Sequence, residues 1–515
     1  MIRSRCHRKD IIAARTHLAH KFGEPALSPQ VHLFIRNHAP ATPTRCISTS
    51  EPVRKRYFPP PEPFHSKSSS FSPPPSSFST FGASPDLLSH YLALEPAPLT
   101  LRQLLAQGGQ PGVAPSPEQL LRSAQHTQRE LPIRLARRVG GFRALPFIVG
   151  SNPFVSKIAR LYASSFDTIA KFKPIETQED NRHFTEVLEE LVSAHSQNVP
   201  TLARGFQESR KYMDPRDVAA FLDATIHSRI AIRLIAEQHL ALSHGGDSHH
   251  LSGRIENREE ESHRQQDRDG EALEKFHVYS SPTSVGIIET QLSPARMTKM
   301  CANFVKDLCE GTLGLAPALV LEGDVQATYA GIPVHLEYVM TELLKNSYRA
   351  TTEQYFRKSK NEGGGSYGRD GKGIPPVIVT IAQSSKHISL RIRDQGGGIS
   401  PQNLPHIFSY AFTTAGSEDS DYPDLESQAE VDGGGPYAMQ AVGGTGGDAL
   451  AEMGKMGLAS GLGTLAGLGY GLPMSRIYAT ASGGGSSLDI VSLYGHGCDT
   501  FVKLPKSIVT SDTII

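Results

Sequence analysis

The chain predicts an α+β protein: an N-terminal helical bundle followed by an α/β sandwich in which helices cover one face of a mixed sheet. Three observations lead there. From about 86 to 243, apolar residues recur at helical spacing with no strand-like alternation. Between 276 and 508, period-2 runs alternate with helical stretches. Among those runs stand three polar or glycine-rich segments, Glu342 to Arg349, Asp394 to Gly398 and Gly467 to Pro473, in positions where a ligand site is built.

In chain order, residues 1–48 hold eight Lys/Arg against two acids, Asp10 and Glu24, interspersed with Leu, Ile, Val and Phe, the profile of a mitochondrial presequence. Residues 49–85 are rich in Pro and Ser and read as a disordered tether. The bundle occupies 86–243. Its clearest helices are Lys157–Phe172, Phe184–His195 and Val218–Leu242, the last with apolar residues at 221, 222, 226, 230, 234 and 235. Residues 244–275 are charged and nearly free of apolar side chains, so they are expected to form a disordered insertion. The irregular spacing of His244, His249, His250 and His263 favours solvated side chains over a metal site.

A helix is expected over Leu336–Tyr355, then a glycine-rich insertion over 361–375. That insertion is no Walker A loop, since Ser366 stands at the first glycine position and no Ser or Thr follows Lys372. Strands are expected at Val377–Ala382, His387–Arg393, Ser487–Leu493 and Thr500–Leu504, with a tail at 509–515. The uncharged run Met456–Ser475 contains six glycines and a proline, so no transmembrane segment is expected. A formal net charge of zero gives no support to nucleic acid as a partner. Cysteines at 6, 46, 301, 309 and 498 have neither metal-ligand spacing nor the density of a disulfide scaffold.

The three polar segments carry the chemistry. Glu342, Lys345, Asn346 and Arg349 share one face of a helix, while Leu336, Met340, Leu343 and Ala350 form an apolar stripe on another. An Asn side-chain oxygen suits Mg2+, and Glu342 one turn away could take a proton from an attacking hydroxyl or water. Lys345 and Arg349 would balance phosphate charge. The competing reading is a solvated polar face. Asp394 continues the parity of Ile388, Leu390 and Ile392, which points its carboxylate toward the buried side, where it needs a donor such as an adenine amino group. Gly396 and Gly398 let the following turn approach a ligand closely. Fifteen of the 47 glycines lie between Gly416 and Gly471, and the run ends in a helix start at Gly471-Leu-Pro. Backbone amides of Gly467, Gly469 and Gly471 would form a phosphate site there.

These segments resemble the N-box and the two glycine boxes of the GHKL ATPase/kinase superfamily. Glu342-Leu-Leu-Lys-Asn-Ser-Tyr-Arg-Ala-Thr351, Phe412-Thr-Thr-Ala415 and Gly469-Tyr-Gly-Leu-Pro-Met-Ser-Arg476 narrow the resemblance to the mitochondrial α-ketoacid dehydrogenase kinases, the pyruvate and branched-chain enzymes. Leu131-Pro-Ile-Arg-Leu-Ala-Arg137, Leu145-Pro-Phe-Ile-Val-Gly-Ser-Asn-Pro153 and Ser228-Arg-Ile-Ala-Ile-Arg233 extend it upstream, so it covers roughly 95 to 505. The resemblance implies a GHKL-type ATP-binding domain over 276–508 with its lid at 413–470. It implies Glu342 as general base, Asn346 as Mg2+ ligand and Asp394 as adenine ligand. Further nucleotide contacts fall on Arg349, Thr413, Thr414, Gly469, Gly471 and Leu472, and a K+ ion would be held by backbone near Ile407, Ser409 and Phe412. The position four before the base is Tyr338, as in the branched-chain kinase, where the pyruvate enzymes carry His. The chain has no Trp, so the Asp-Trp tail of the pyruvate enzymes has no counterpart.

The expected function is therefore a protein serine kinase of the mitochondrial matrix, using ATP and Mg2+. Its implied partners are the decarboxylase subunit and the lipoyl-bearing acyltransferase core of a pyruvate or branched-chain complex, with a homodimer as the implied assembly. Two alternatives stand beside it: a nucleotide-gated, non-catalytic regulator of the same complex, and a histidine kinase with His239 as acceptor.

Overall fold

The computed structural model describes residues 84–255, 282–361, 373–412, 469–481, 483 and 485–506. The presequence, nearly all of the tether, most of the 244–275 insertion, residues 362–372, the lid from 413 to 468 and the tail lie outside the described residues.

The N-terminal region is helical throughout, and most of its helices start where a side chain can accept the free N–H groups of the first turn. They are α1 (Pro85–Leu92), α2 (Leu101–Gly108), α3 (Pro117–Arg143), α4 (Phe147–Ser151), α5 (Pro153–Ala170), α6 (Gln178–Ala194), α7 (Asn198–Ser209) and α8 (Pro215–Ile255). Reciprocal capping boxes Thr100/Gln103, Ser116/Gln119 and Thr177/Asp180 open α2, α3 and α6. The Asn152 side chain accepts from the N–H groups of Phe154 and Val155 at 3.0 and 3.3 Å to open α5. Tyr162, Phe166, Phe184, Leu188, Leu222 and Leu234 fill the bundle core, and the whole stripe expected at 221, 222, 226, 230, 234 and 235 is buried.

One boundary differs. Helix α8 continues past 243 to Ile255, so the first part of the segment expected to be a loop is helical. Extending an existing helix fixes one residue per hydrogen bond and has no nucleation cost, and no proline interrupts 244–255. His244 pairs with Glu189 of α6 at 2.7 Å.

After the bundle come β1 (Ser284–Val285), β2 (Ile288–Leu292), α9 (Pro294–Leu313), β3 (Leu319–Gly323), β4 (Tyr329–Gly331) and α10 (Pro333–Asn361). Then follow β5 (Val377–Gln383), β6 (His387–Arg393), a 3-10 turn at Leu404–His406, α11 (Gly471–Ala481), β7 (Ser487–Leu493) and β8 (Gly497–Pro505). The five-stranded sheet has the order β3-β5-β6-β8-β7, with β3 parallel to β5 and the other pairs antiparallel. The crossover between the parallel strands contains α10. Val377, Val379, Ile381, Ile388, Leu390, Ile392, Leu488, Val502 and Leu504 are buried on one face, against α9, α10 and α11. The outward residues of β6 include Arg391 and Arg393, both paired with Asp499 of β8 at distances of 2.7 to 3.3 Å.

The mixed sheet with helices on one face agrees with the fold expected from the sequence. Strands β1 to β4 are additions. They run two to five residues, too short for alternation to register. The small sheet β1-β2-β4 is tied to the bundle by Gln238 of α8. Its amide donates to the carbonyls of Leu104 at 3.0 Å and Val285 at 3.4 Å, and accepts from the Ile287 N–H at 2.9 Å. Among the described residues no helix is long and apolar enough to cross a membrane.

Two bundle histidines are held neutral. His239 has no exposed surface and lies between Ser123 Oγ at 3.1 Å and Thr185 Oγ1 at 3.4 Å. Burial lowers its pKa from 6.5 to about 4, and burial likewise takes His195 to about 3. An unfolded imidazole binds protons more tightly, so the stability each contributes is complete above pH 6.5 and declines as pH falls toward those values. For His239 the loss is on the order of 3 kcal/mol across that window. Replacing His239 with Gln should flatten the fall in urea midpoint between pH 6.5 and 4 by about one proton's worth.

Candidate functional site

Helix α10 hides Leu336, Val339, Met340, Leu343, Leu344 and Tyr348, which leaves a narrow polar face. That face is not uniformly solvated. Asn346 is exposed and its amide makes no hydrogen bond among the described residues, whereas Glu342 is only 3% exposed. Lys345 Nζ lies 2.5 Å from Glu342 Oε1, and Arg349 Nε donates to Glu353 at 2.7 Å. The reading of this face as a plain solvated surface therefore fails at Glu342. Its carboxylate is covered by the start of α11: a Cβ at Gly471 would overlap Oε2. Gly471 thus serves here as the one residue small enough to let a helix N-terminus, with its free N–H groups, stand against that carboxylate. Leu472 follows, half-buried.

Asp394 sits just past β6, 9% exposed, on the buried side that its parity predicts. Its Oδ1 accepts from the backbone N–H groups of Gly396 at 3.0 Å and Cys498 at 3.1 Å. Oδ2 accepts from the Ser347 hydroxyl at 3.3 Å. Burial pushes the carboxyl above the ordinary carboxylate range, against the opposing pull of those three donors. Oδ2 has only the long Ser347 bond among the described residues, so it retains accepting capacity suited to an amino group. The glycines after it have separate tasks. A Cβ at Gly396 would overlap Ala350 of α10, so its absence lets the turn close onto the helix. Gly398 has φ +73° and packs against the Leu493 carbonyl.

Gly469, with φ +73°, lies against the backbone of Phe412: a Cβ there would be 2.5 Å from the Phe412 oxygen. The segment before it is a series of turns in which Ser409 N–H donates to His406 and Phe412 N–H to Ser409. Ile407 is buried and Ser409 exposed in that segment. Thr413, Thr414 and Gly467 lie outside the described residues.

The structure thus gathers Glu342, Lys345, Asn346, Asp394, Gly396 and Gly471 along the middle turns of α10. It also supplies Ser347, which the sequence reading passed over, and Ala350, which that reading assigned to the apolar stripe and which instead receives the Gly396 turn. Ser347 had one available signal: a buried Asp needs donors, and a hydroxyl on the covering helix is an obvious one. Donor chemistry fits Mg2+ and a nucleotide, since Asn346 offers a free oxygen, Asp394 a spare lone pair, and α11 its N-terminal N–H groups.

Comparison with known proteins follows the same division of the chain. Residues 98–288 match the family model for mitochondrial branched-chain alpha-ketoacid dehydrogenase kinase. Residues 331–430 match that for histidine kinase-, DNA gyrase B-, and HSP90-like ATPases. A mitochondrial [pyruvate dehydrogenase (acetyl-transferring)] kinase from Arabidopsis thaliana is 28% identical over 398 residues, covering 77% of this chain and 87% of its own. Isozyme 3 from Homo sapiens is 26% identical over 435 residues, with 82% and 85% covered. A Schizosaccharomyces pombe kinase of the same name is 24% identical over 478 residues, with 79% and 93% covered. With the bundle matched by one model, part of the sandwich by the other, and relatives aligned across both, the chain is similar to the pyruvate and branched-chain α-ketoacid dehydrogenase kinases.

Proposed function

We propose that this protein transfers the γ-phosphate of ATP to a serine hydroxyl on the decarboxylase subunit of a mitochondrial α-ketoacid dehydrogenase complex, and so inactivates it. The observation that carries the reading is the buried Glu342 carboxylate at the N-terminus of α11, one turn from the exposed Asn346. Relatives named for the pyruvate enzyme and a family model named for the branched-chain enzyme support the two candidate complexes.

The residues divide the work. Asp394 would accept the adenine amino group, held in place by Ser347 and the backbone of Gly396 and Cys498. Asn346 would hold Mg2+, which supplies charge neutralisation for the phosphates. Glu342 would accept the proton from the serine Oγ as that oxygen attacks phosphorus, and Lys345 fixes the carboxylate through Oε1. Arg349, Thr413, Thr414, Gly396, Gly398, Gly467, Gly469, Gly471 and Leu472 would surround the nucleotide. Backbone near Ile407, Ser409 and Phe412 would hold K+. Catalysis then comes mainly from position and electrostatics.

The protein would act in the mitochondrial matrix after loss of residues 1–48, with the bundle docking the lipoyl-bearing acyltransferase core. The homodimer expected of the family has an apolar candidate surface on the open sheet face, where Val491, Leu493 and Phe501 are 59%, 65% and 37% exposed. The histidine-kinase alternative is disfavoured by His239, whose imidazole has no exposed surface from which to reach a phosphate.

The test is to incubate the protein from residue 49 onward with labelled ATP, magnesium and potassium, offering pyruvate and branched-chain decarboxylase components side by side. Acid-stable label should appear on one of them. Glu342→Gln should retain ATP binding and lose transfer by about 10²–10⁴-fold. ATP binding with no transfer by the unaltered protein to either component would favour the non-catalytic regulator. Asp394→Asn replaces an acceptor edge with a donor facing the adenine amino group. It should weaken ATP by roughly 1–3 kcal/mol in titration calorimetry.

A further inference from the structure

Helix α8 of the bundle packs directly on α11, with Arg229 and Arg233 beside Tyr478, and among the described residues it also reaches the segment next to the nucleotide site through a side-chain hydrogen bond. Tyr410 lies in the turn segment after the 3-10 turn, and its hydroxyl donates to Asp223 Oδ1 of α8 at 2.5 Å. The two residues are 187 positions apart. The Tyr410 ring stands 5.2 Å from that of Tyr470, tilted by 52°. Tyr470 immediately precedes α11, and its carbonyl accepts the Met474 N–H that begins the helix. Gly471, next in line, is the residue against the Glu342 carboxylate.

The same segment is held to α11 by a second contact, the Arg476 guanidinium 4.6 Å from the centre of the Phe408 ring. It carries a local strain as well. Ala411 has φ +60°, a left-handed conformation that costs an alanine on the order of 1 kcal/mol and persists only where surrounding contacts enforce it. Tyr410 on one side and the packed Phe412–Gly469 backbones on the other supply that enforcement.

We infer that Asp223 is a positioning residue for the nucleotide site: its carboxylate anchors Tyr410, and through the Tyr410–Tyr470 contact sets where the first turn of α11 stands against Glu342. The inference rests on the nucleotide-site reading proposed above. It assigns a task in the site to a residue of the bundle, and makes the placement of α11 depend on α8.

The test is titration of the whole protein with a non-hydrolysable ATP analogue. Tyr410→Phe keeps the ring and removes only the donor; Asp223→Ala removes the acceptor. Each should weaken the analogue by about fivefold, the net worth of one ordinary hydrogen bond, because solvent around this exposed pair offsets the charge assistance. The double variant should be no weaker than the weaker single, because both remove one bond. Asp223→Asn, whose amide oxygen still accepts, should stay within about twofold of the unaltered protein. Thermal midpoints and circular dichroism of Tyr410→Phe should match the unaltered protein, which excludes misfolding as the cause. Unaltered affinity in both single variants, or additive losses in the double, would overturn the inference while leaving the nucleotide site standing. Failure of the unaltered protein to bind the analogue would overturn the site reading itself, and the inference with it.

Discussion

The constraint on which the site depends is that one helix, α10, must bury an apolar face on a sheet while holding polar groups in fixed places. Its buried stripe, from Leu336 to Tyr348, settles the rotation of the helix against β5 and β6. Once that rotation is set, Ser347 faces Asp394 and Glu342 faces the start of α11. A carboxylate removed from water in this way needs compensation, and Lys345 and the α11 N-terminus provide it. The geometry of the site is thus a by-product of core packing. A change in the stripe would move the chemistry without touching a polar residue.

Much of this is legible in the sequence. Alternation in Ile388, Leu390 and Ile392 places β6 residue for residue, and the same parity carries Asp394 inward. The spacing of Glu342 and Asn346 puts them on one helical face. What sequence could not show is which part of that face is covered, because the cover at Glu342 arrives from Gly471, across the whole glycine-rich segment. The Ser347–Asp394 and Tyr410–Asp223 bonds were hidden for the same reason, joining residues 47 and 187 positions apart. Local pattern reports local geometry; partners across such distances follow from topology. Strand β3 illustrates the limit in another way. Five residues at a sheet edge gain their conformation from pairing with β5 in parallel register, from Leu319 opposite Val377 to Gly323 opposite Ile381.

Bundle and sandwich are connected by interactions of different kinds. Gln238 satisfies backbone groups from α2 and from around β1, so removing it would strand buried polar atoms. Asp223 instead meets a side chain at a partly exposed position, where the energetic stake is smaller and the geometric leverage larger. The first kind of contact holds the two parts together, and the second is suited to adjusting one by the other.

The close approach of Phe412 and Gly469 has a consequence for chain length. The described backbone on the two sides of residues 413–468 therefore meets at adjacent points. The entropy of closing a flexible chain between two such points grows only with the logarithm of its length, about 0.6 kcal/mol for each doubling. By that measure the length of chain joining the two points weighs less than the left-handed turn of Gly469 that lets them meet. The few atoms at this junction, by contrast, are held to van der Waals tolerance.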